Sequence, residues 1–306
     1  MDVEMNNLET IAKDLYLMGC NVLINEPMSK HTTFRIGGKV ALYVTPKTKN
    51  IFIEVLNYLD KNNIEYKIIG GGANLIVSDK FHDFVVISTE YISGYEIENE
   101  KIIAESGIPL SRLSFIALEN SLSGMEFACG IPGSLGGAIF MNAGAYGGEM
   151  KNIIETVEVY DLKSKKILFL GNSNCKFGYR TSIFQKNNLI ILGATIALKK
   201  GIHEKIKQEI FNLLEKRWSK QPLEYPSAGS IFKRPEPTFY VGTTIEKLNL
   251  KGFSIGGAQI SEKHGGFIIN KENATFEDVQ QLINHVKKIV KEKYNKDLKV
   301  EPEIWD

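Results

Sequence analysis

Ser230 and Lys233 form an S-x-x-K pair that could serve two kinds of chemistry. Serine acyl-enzymes of the β-lactamase and penicillin-binding type use such a pair, but they also need S-D-N and K-T-G motifs, and the sequence contains neither. Ser230 also does not lie within the G-x-S-x-G elbow of a hydrolase. A hydroxyl held near the cations of Lys233 and Arg234 could instead donate a proton to a carbanion that develops beside a bound anion.

Other polar residues have both an ordinary and a functional interpretation. Arg180 lies among tyrosine, serine and glycine, where it could be a surface residue or the anchor for a carboxylate. Glu303 could be a plain acid near the chain end or a catalytic one. We interpret His31 as a satisfied polar residue rather than a ligand, and His264 allows both interpretations. Because His, Asp and Glu do not cluster at ligand spacing, the sequence predicts no metal site.

Three glycines follow a short apolar strand at the start of the segment Gly70, Gly71, Gly72, Ala73, Asn74 and Leu75. Glycine permits positive φ angles, and successive backbone N–H groups in such a turn can point at an anion. The segment is neither G-x-G-x-x-G nor a P-loop, because no Lys-Ser/Thr follows. A phosphate-binding loop and a simple tight turn therefore both remain open.

A denser group of glycines occupies residues 130–148. Segments this rich in small residues usually let the backbone approach a ligand closely. A flexible linker is the alternative, but Ile131, Leu135 and Ile139 favour an ordered, buried loop. Two separate glycine loops suggest a ligand with a diphosphate and a long body.

Hydrophobic periodicity predicts the elements that must position these residues. Alternating helices and strands indicate an α/β arrangement at first, with helices over 8–18 and 49–61 and strands over 41–44, 66–69 and 84–87. Antiparallel pairing is predicted next, with strands over 95–97, 101–104, 157–160, 166–169 and 188–198 and a helix over 110–118.

A charged amphipathic helix over 203–218 comes next, and we place a domain boundary near its start. Strands over 253–260 and 266–270 lead to a last helix, which Thr275 is suited to cap. Apolar residues recur at helical spacing from Val279 to Val290, so this face must pack on a core.

Composition excludes several broad classes. The 306 residues carry 37 Lys and Arg against 36 Asp and Glu, so no gross attraction to nucleic acid or an anionic membrane is expected. The 3 cysteines form no C-x-x-C pair, and we expect buried free thiols in a reducing compartment. The N-terminus lacks the regions of a signal peptide, and no apolar stretch approaches the ~20 residues of a membrane span. We therefore expect a cytoplasmic protein.

Six segments in order resemble those of the UDP-N-acetylenolpyruvoylglucosamine reductases, the MurB family of flavoenzymes in peptidoglycan precursor synthesis. They are residues 31–38, 70–77, 130–148, 179–184, 227–235 and 256–270. Any one of these segments is weak, but six in this order are highly specific. The short interval between Arg180 and Ser230 resembles the compact second type of the family, which lacks an inserted substrate-covering loop.

The resemblance implies an α+β fold of three domains: FAD-binding subdomains over 1–94 and 95–205, and an α+β substrate-binding domain over 206–306 whose tail returns to the active site. The first two would form a module of the vanillyl-alcohol-oxidase (PCMH) kind. FAD would bind noncovalently, with its pyrophosphate against both glycine loops. The implied FAD-binding residues are Gly70, Gly71, Gly72, Ala73, Asn74, Leu75, Gly130, Ile131, Pro132, Gly133, Ser134, Gly136, Gly137 and Ala138.

The implied reaction is the reduction of UDP-N-acetylglucosamine enolpyruvate to UDP-N-acetylmuramate, with NADPH as hydride donor. Hydride addition at C3 of the enol ether pushes negative charge onto C2 and the carboxylate. Arg180, helped by protonated Glu303, would stabilise that charge, and Ser230 would protonate C2. The residues implied to bind the substrate are Tyr179, Lys233 and Arg234. The family also implies a part in cell-wall biogenesis, cell shape and cell division.

Three positions depart from the family pattern. Ala73 replaces a common serine and so removes a hydroxyl that could touch a phosphate. Arg234 stands where some members have asparagine, so a grip on the diphosphate by Lys233 and Arg234 is a hypothesis. The chain stops shortly after Glu303, where relatives usually continue with a basic residue. Glu301 is a neighbouring candidate, but the family spacing favours Glu303.

Two other classes remain open. A related flavin oxidase would share the FAD module but carry a different substrate domain, and residues 226–235 argue against it. A protein that only binds flavin or a nucleotide sugar would have lost a reactive group, yet Ser230, Arg180 and Glu303 are all present. The sequence makes no prediction of oligomeric state.

Overall fold

The computed structural model describes residues 2–186 and 188–306. In this part of the chain the helices are α1 (Asp2–Leu17), α2 (Lys49–Lys61), α3 (Leu110–Glu119), α4 (Leu135–Met141), α5 (His203–Lys220), α6 (Val241–Lys247) and α7 (Phe276–Tyr294). The strands are β1 (Cys20–Pro27), β2 (Lys39–Pro46), β3 (Tyr66–Ile69), β4 (Leu75–Val77), β5 (His82–Ser88), β6 (Tyr95–Glu98), β7 (Lys101–Glu105), β8 (Leu122–Ser123), β9 (Gly144–Ala145), β10 (Gly148–Glu149), β11 (Ile154–Asp161), β12 (Lys166–Gly171), β13 (Leu189–Ala197), β14 (Lys199–Lys200), β15 (Ser227–Ser230), β16 (Ser254–Ile255), β17 (Ala258–Ile260), β18 (Phe267–Asn270) and β19 (Glu303–Trp305). No helix among these residues is long and apolar enough to span a membrane.

The chain divides into two compact units. The first unit consists of Met1–Glu26, Val40–Gly71 and Asp83–Glu215, and the second of Pro27–Lys39, Gly72–His82 and Lys216–Asp306. Each unit is built from segments that are distant in sequence. The three domains with borders after residues 94 and 205 stay a prediction.

The first unit contains a four-stranded sheet of order β1-β2-β5-β3, in which β3 and β5 are parallel. Helix α2 supplies this sheet with an apolar face of Phe52, Val55, Leu56 and Leu59, and all four side chains are buried. The N–H of Ile51 donates to Oγ1 of Thr48, which caps the helix. This confirms the predicted helix over 49–61. Strand β3 ends directly before the first glycine turn.

A five-stranded sheet of order β12-β11-β13-β7-β6 forms the second layer of the first unit, and its neighbouring strands are antiparallel. The predicted hairpins are confirmed, with Tyr95 opposite Ala104 and Val157 opposite Leu170. One core of buried side chains joins this sheet to helices α3 and α4. The sheet therefore fixes the position of α4, which the sequence did not predict.

Helix α4 replaces the buried loop that the sequence predicted after residue 130. Oγ of Ser134 accepts the N–H of Gly137 at 3.3 Å and so caps the helix, which ends at Asn142 in the left-handed conformation (φ 45). Two glycines in its first turn each disfavour a helix by about 1 kcal/mol. Burial of Leu135 and Ile139 stabilises the segment instead.

The second unit is built on an antiparallel sheet of order β15-β18-β17-β16 that packs on helix α7. Thr275 and Asp278 form a capping box: Oγ1 of Thr275 accepts the N–H of Asp278 at 3.1 Å, and Oδ2 of Asp278 accepts the N–H of Thr275 at 2.9 Å. This confirms the predicted N-cap. The apolar face of α7 is buried from Val279 to Val290, as its spacing predicted.

The single strand predicted over 253–260 was wrong, because a turn at Gly256 divides it into β16 and β17. Gly256 has φ 51, and a Cβ at this position would lie 2.2 Å from Oδ1 of Asp278. Asp278, the second member of the capping box of α7, therefore occupies the space that any side chain at position 256 would need.

Cys20, Cys129 and Cys175 are buried and form no disulfide, as the sequence predicted. Burial raises the pKa of both Cys20 and Cys175 to about 11, and Sγ of Cys129 donates to the carbonyl of Ile210 at 3.8 Å. Because the thiolate is the nucleophile, these thiols are expected to be inert in the folded protein.

We predict that an aromatic disulfide reagent in mildly alkaline buffer leaves the folded protein unmodified and titrates 3 thiols per chain after denaturation. The denatured sample is the control for reagent quality. A thiol of the folded protein that reacts as fast as free cysteine would contradict the prediction.

Candidate active site

The two glycine loops meet within the first unit. A Cβ on Gly70 would lie 2.2 Å from Oγ of Ser134, and a Cβ on Gly71 would lie 2.7 Å from Cα of Gly133. Real Cβ atoms do not approach that closely, so glycine is needed at Gly71 to pack against the backbone of Gly133 and at Gly70 to leave room for the side chain of Ser134. The structure thus brings together the two segments that the sequence singled out as ligand loops.

Several N–H groups of the second loop are already bonded within the protein. The N–H of Leu135 donates to the carbonyl of Ile108 at 2.9 Å, and that of Gly136 donates to the carbonyl of Ser106 at 2.7 Å. The N–H of Gly137 is held by Ser134. A ligand on this loop would therefore have to use other donors than the first turn of α4.

Oγ of Ser106 is buried and has no hydrogen-bond partner among the described residues. It lies beside the second loop, because a Cβ on Gly136 would be 3.0 Å from Cβ of Ser106. Such a group costs about 1–3 kcal/mol when it is left unpaired. The hydroxyl is therefore an unusual feature of an otherwise well bonded core.

The glycine turn continues into the second unit at Gly72, which has φ 58. A Cβ there would lie 2.0 Å from the carbonyl oxygen of His31, and the N–H of Thr33 donates to the carbonyl of Gly72 at 3.1 Å. Thr33 also joins strand β15, because its Oγ1 donates to the carbonyl of Ser227 at 2.7 Å. The segment containing His31 thus connects the glycine turn to the strand that carries Ser230.

A bulge in strand β15 presents Ser230 to solvent. Ser227 lies opposite Ile269 and Ser230 opposite Phe267, so β15 has one more residue than its partner between these pairs. Gly229 has φ 77 within this irregularity. The exposed Ser230 is followed by buried Ile231, which anchors the strand end.

Glu303 begins β19, which runs parallel to β4 directly after the glycine turn. Its N–H donates to the carbonyl of Asn74 at 3.0 Å. The segment before β19 also contacts the strand of Ser230, because the N–H of Glu301 donates to the carbonyl of Ile231 at 2.8 Å. The second unit therefore brings the turn, Glu303 and the Ser230 strand into one hydrogen-bonded set of chains.

Arg180 belongs to the first unit and lies in a tight turn, where the N–H groups of Gly178 and Thr181 each donate to the other residue's carbonyl. It has φ 53, a conformation that is uncommon outside glycine and asparagine. Nη2 donates to the carbonyl of Gly144 at 3.2 Å, and the guanidinium lies 5.4 Å from the ring of Tyr179. The arginine is thus aimed at the second glycine cluster by a strained backbone.

Asn142 positions this turn, and the sequence did not predict it. Its buried Nδ2 donates to Oε2 of Glu149 at 3.0 Å and to the carbonyl of Gly178 at 2.9 Å. Its Oδ1 accepts the N–H of Lys151 at 2.9 Å. The one available signal was an asparagine within the glycine cluster, a residue type that often ends helices in the left-handed conformation.

Glu149 places a negative charge near Arg180. Partial burial alone would raise its pKa, but hydrogen bonds from Lys151 and Asn142 and the charge of Arg180 outweigh burial and hold the pKa below its ordinary value. Glu149 is therefore an anion at neutral pH and helps to balance the cations around the turn.

The other predicted substrate residues lie in the second unit. The N–H of Lys233 donates to the carbonyl of Lys299 at 2.9 Å. Nη1 of Arg234 donates to the carbonyl of Pro237 at 3.4 Å, and its guanidinium lies 5.5 Å from the ring of Tyr240. Both cations thus follow Ser230 on a backbone that is fixed by hydrogen bonds.

His264 has the role of a satisfied polar residue. Its Nδ1 accepts the N–H of Gly266 at 3.0 Å, and burial lowers the pKa of the ring. It supports the turn before β18. Within the described residues, no group of three or more His, Cys, Asp or Glu side chains could hold a metal ion.

Comparison with known proteins defines the class first. The family model "FAD binding domain" matches residues 40–168, and the model "UDP-N-acetylenolpyruvoylglucosamine reductase, C-terminal domain" matches residues 221–305. These matches confirm the predicted fold class, an FAD-binding module followed by a substrate domain. The chain is an FAD-dependent oxidoreductase.

Full-length relatives give the family. The chain is 53% identical over 302 residues to UDP-N-acetylenolpyruvoylglucosamine reductase of Petrotoga mobilis. The aligned region covers 97% of this chain and 99% of the relative. It is 51% identical over 306 residues to the reductase of Fervidobacterium nodosum, with 100% and 98% covered. The crystal structure of the Thermus caldophilus reductase (MurB) matches with a TM-score of 0.80 and 29% identity, over 94% of this chain and 99% of that one. The chain belongs to the UDP-N-acetylenolpyruvoylglucosamine reductase family, as its motifs predicted.

The contact between the glycine loops gives a direct prediction. Gly71→Ala should lower the affinity for FAD by about tenfold or more, which corresponds to about 1.4 kcal/mol of binding free energy, because the new Cβ meets the backbone of Gly133 and forces the two loops apart. Titration of the apoprotein with FAD, followed by flavin fluorescence, measures the effect.

Gly171→Ala is the matched control, because a Cβ at Gly171 would have no neighbour within 4 Å. It should bind FAD like the wild type. Equal FAD affinity of the Gly71 and Gly171 variants would contradict the assignment of this contact to the cofactor site.

Proposed function

We propose that the protein reduces UDP-N-acetylglucosamine enolpyruvate to UDP-N-acetylmuramate, with noncovalent FAD as cofactor and NADPH as hydride donor. One observation carries the proposal: the predicted FAD loops, Gly70–Gly71 and Gly133–Ser134, meet in one place inside the region that matches the FAD-binding family model. The names of the full-length relatives support the choice of substrate.

The residues at this place fit FAD. Glycine at positions 70, 71 and 136 lets the two loops and Ser106 pack closely together, and loop N–H groups outside the first turn of α4 would be the donors to a diphosphate. The unpaired hydroxyl of Ser106 is the kind of buried polar group that a bound cofactor satisfies. When bound, FAD would supply the hydride chemistry, accepting hydride from NADPH and passing it to C3 of the enolpyruvyl group. The residues proposed to hold it are those of the two loops, residues 70–75 and 130–138.

Arg180 would bind the carboxylate of the enolpyruvyl group. A guanidinium can hold a carboxylate with two parallel hydrogen bonds, and its fixed charge stabilises the negative charge that develops on C2 and the carboxylate. The contacts with Gly144 and Tyr179 hold the side chain in place before the substrate arrives. Preorganisation of this kind is what makes such a group effective in a transition state.

Ser230 would donate the proton to C2. The bulge at Gly229 exposes its hydroxyl, while buried Ile231 fixes the backbone behind it. Lys233 and Arg234 would bind the diphosphate of the substrate, and Tyr179 would also contact the substrate. Glu303 would help Arg180 to stabilise the negative charge on C2 and the carboxylate.

The proposed reaction also suggests the cellular location and role of the protein. UDP-N-acetylmuramate is a peptidoglycan precursor, so we propose a cytoplasmic enzyme that contributes to cell-wall biogenesis, cell shape and cell division. We retain the three domains with borders after residues 94 and 205, in which the last domain binds the substrate.

The proposal is tested by product formation. Purified holoenzyme with NADPH and UDP-N-acetylglucosamine enolpyruvate should yield a product heavier by two hydrogens, detected by mass spectrometry, and the apoprotein should yield none until FAD is added. NADH in place of NADPH tests the donor preference. NADPH consumption that needs oxygen and leaves the substrate unchanged would overturn the proposal in favour of an oxidase.

Ser230→Ala should retain FAD and its reduction by NADPH but slow the reoxidation by the enolpyruvyl substrate about 10²–10⁴-fold, because the proton donor is lost. Stopped-flow absorbance at the flavin band measures both half-reactions. Ser227→Ala on the same strand is the matched control and should behave like the wild type. Loss of FAD from the Ser230 variant would refute its role as proton donor.

Glu303→Gln should reduce turnover by an order of magnitude more than Glu301→Gln. The side chain of Glu303 is exposed at the start of β19, whereas Glu301 contributes its backbone to the contact with Ile231. Steady-state kinetics of the two variants provide the comparison. Equal losses of turnover in the two variants would contradict the assignment of Glu303 as the catalytic glutamate.

A further inference from the structure

The carboxylate of Glu303 has a specific side-chain partner. Nε1 of Trp305 donates to Oε1 of Glu303 at 2.8 Å. The two residues are separated by one position in strand β19, so their side chains project to the same side of the strand. Glu303 is exposed, whereas the indole of Trp305 is only 3% exposed. A buried donor thus holds one oxygen of an exposed carboxylate.

The backbone that carries both side chains is fixed at each end. The N–H of Glu303 donates to the carbonyl of Asn74 at 3.0 Å, and the carbonyl of Trp305 accepts the N–H of Ser78 at 2.8 Å. Strand β19 also keeps parallel register with β4, with Glu303 opposite Leu75. The indole therefore approaches the carboxylate from a position that the strand pairing determines.

The chemistry of the indole decides what this contact does. An indole N–H is a donor only, so Oε1 must accept from it, and the better acceptor of a carboxyl group is the oxygen that carries no proton. A proton on Glu303 is thereby favoured on Oε2. An exposed glutamate without such a partner would sample several rotamers, and both oxygens would be equivalent.

We propose that Trp305 is a positioning residue for the reduction: its indole N–H holds Oε1 of Glu303 as an acceptor and leaves Oε2 as the oxygen that acts on the substrate. The proposal rests on the proposed function of the same site. It adds a residue that does not touch the reacting atoms and acts only through Glu303.

The hydrogen bond itself is tested without any reaction. The chain has 2 tryptophans, and Trp218, which is 65% exposed, serves as an internal control. In the nitrogen-15 NMR spectrum of the holoprotein, Trp218→Phe assigns the two indole signals. Glu303→Ala should shift the Trp305 indole signal and speed its exchange with water, while the Trp218 signal stays in place. An unchanged Trp305 signal would overturn the proposal.

A double-mutant cycle tests the positioning role. Trp305→Phe keeps an aromatic ring but removes the N–H, and it should slow flavin reoxidation by the enolpyruvyl substrate about tenfold, the size expected for the loss of one hydrogen bond to the carboxyl group. Reduction by NADPH should not change. In the Glu303→Ala background the same substitution should change the rate by less than about twofold, because there is no carboxylate left to orient.

The outcomes separate the two proposals. An equal tenfold loss in both backgrounds would mean that Trp305 has only a structural role, and an unchanged rate with Trp305→Phe would also refute positioning. If the wild-type flavin is not reoxidised by the substrate at all, the proposed function fails, and the NMR result still decides whether the hydrogen bond exists. The NMR arm uses Glu303→Ala and Trp218→Phe, so it stands even where Trp305→Phe does not fold.

Discussion

The close contact of the two glycine loops, Gly70–Gly71 with Gly133–Ser134, is the constraint on which the rest of the site depends. Any side chain there would separate the loops, since the nearest atoms lie 2.2 and 2.7 Å from the positions of the absent Cβ atoms. Ser134 also caps α4, and α4 ends at Asn142, which holds the turn of Arg180. At Gly72 the same glycine turn continues into the second unit, where Asn74 bonds the backbone of Glu303. Within each unit, a part of the same turn therefore contacts the backbone that supports a predicted catalytic group.

Three locally unfavourable features lie at the site. Arg180 has a positive φ, α4 carries two glycines in its first turn, and Ser106 keeps a buried hydroxyl without a partner among the described residues. Each feature is unfavourable by itself, and the surrounding packing of α4 against the five-stranded sheet offsets it. Helices α2 and α7, which do not carry these residues, have regular caps and apolar faces. This contrast is what is expected where structure is held for function rather than for stability.

The sequence predicted the elements whose signals are local. Helix α2, strand β3 and the cap at Thr275 follow from periodicity and capping chemistry alone. It missed α4, because glycine disfavours a helix and only burial of Leu135 and Ile139 stabilises this one. The sequence also did not predict the turn at Gly256, the hydrogen bonds of Asn142 or the contact of Trp305 with Glu303. Each depends on a partner that only the folded chain brings near. The family motifs identified which residues to expect at the site, but the contacts that orient their side chains are visible only in the structure.

The central claim, that this chain uses bound flavin to pass hydride from NADPH to an enolpyruvyl nucleotide sugar, is tested most directly by one anaerobic absorption experiment. The visible spectrum of the purified holoenzyme is recorded alone, after NADPH, and after UDP-N-acetylglucosamine enolpyruvate. The account predicts flavin bands that bleach with NADPH and return fully when the enolpyruvyl substrate is added without oxygen. A protein that shows no flavin bands and takes up no added FAD, or a reduced flavin that returns only with oxygen, would contradict it.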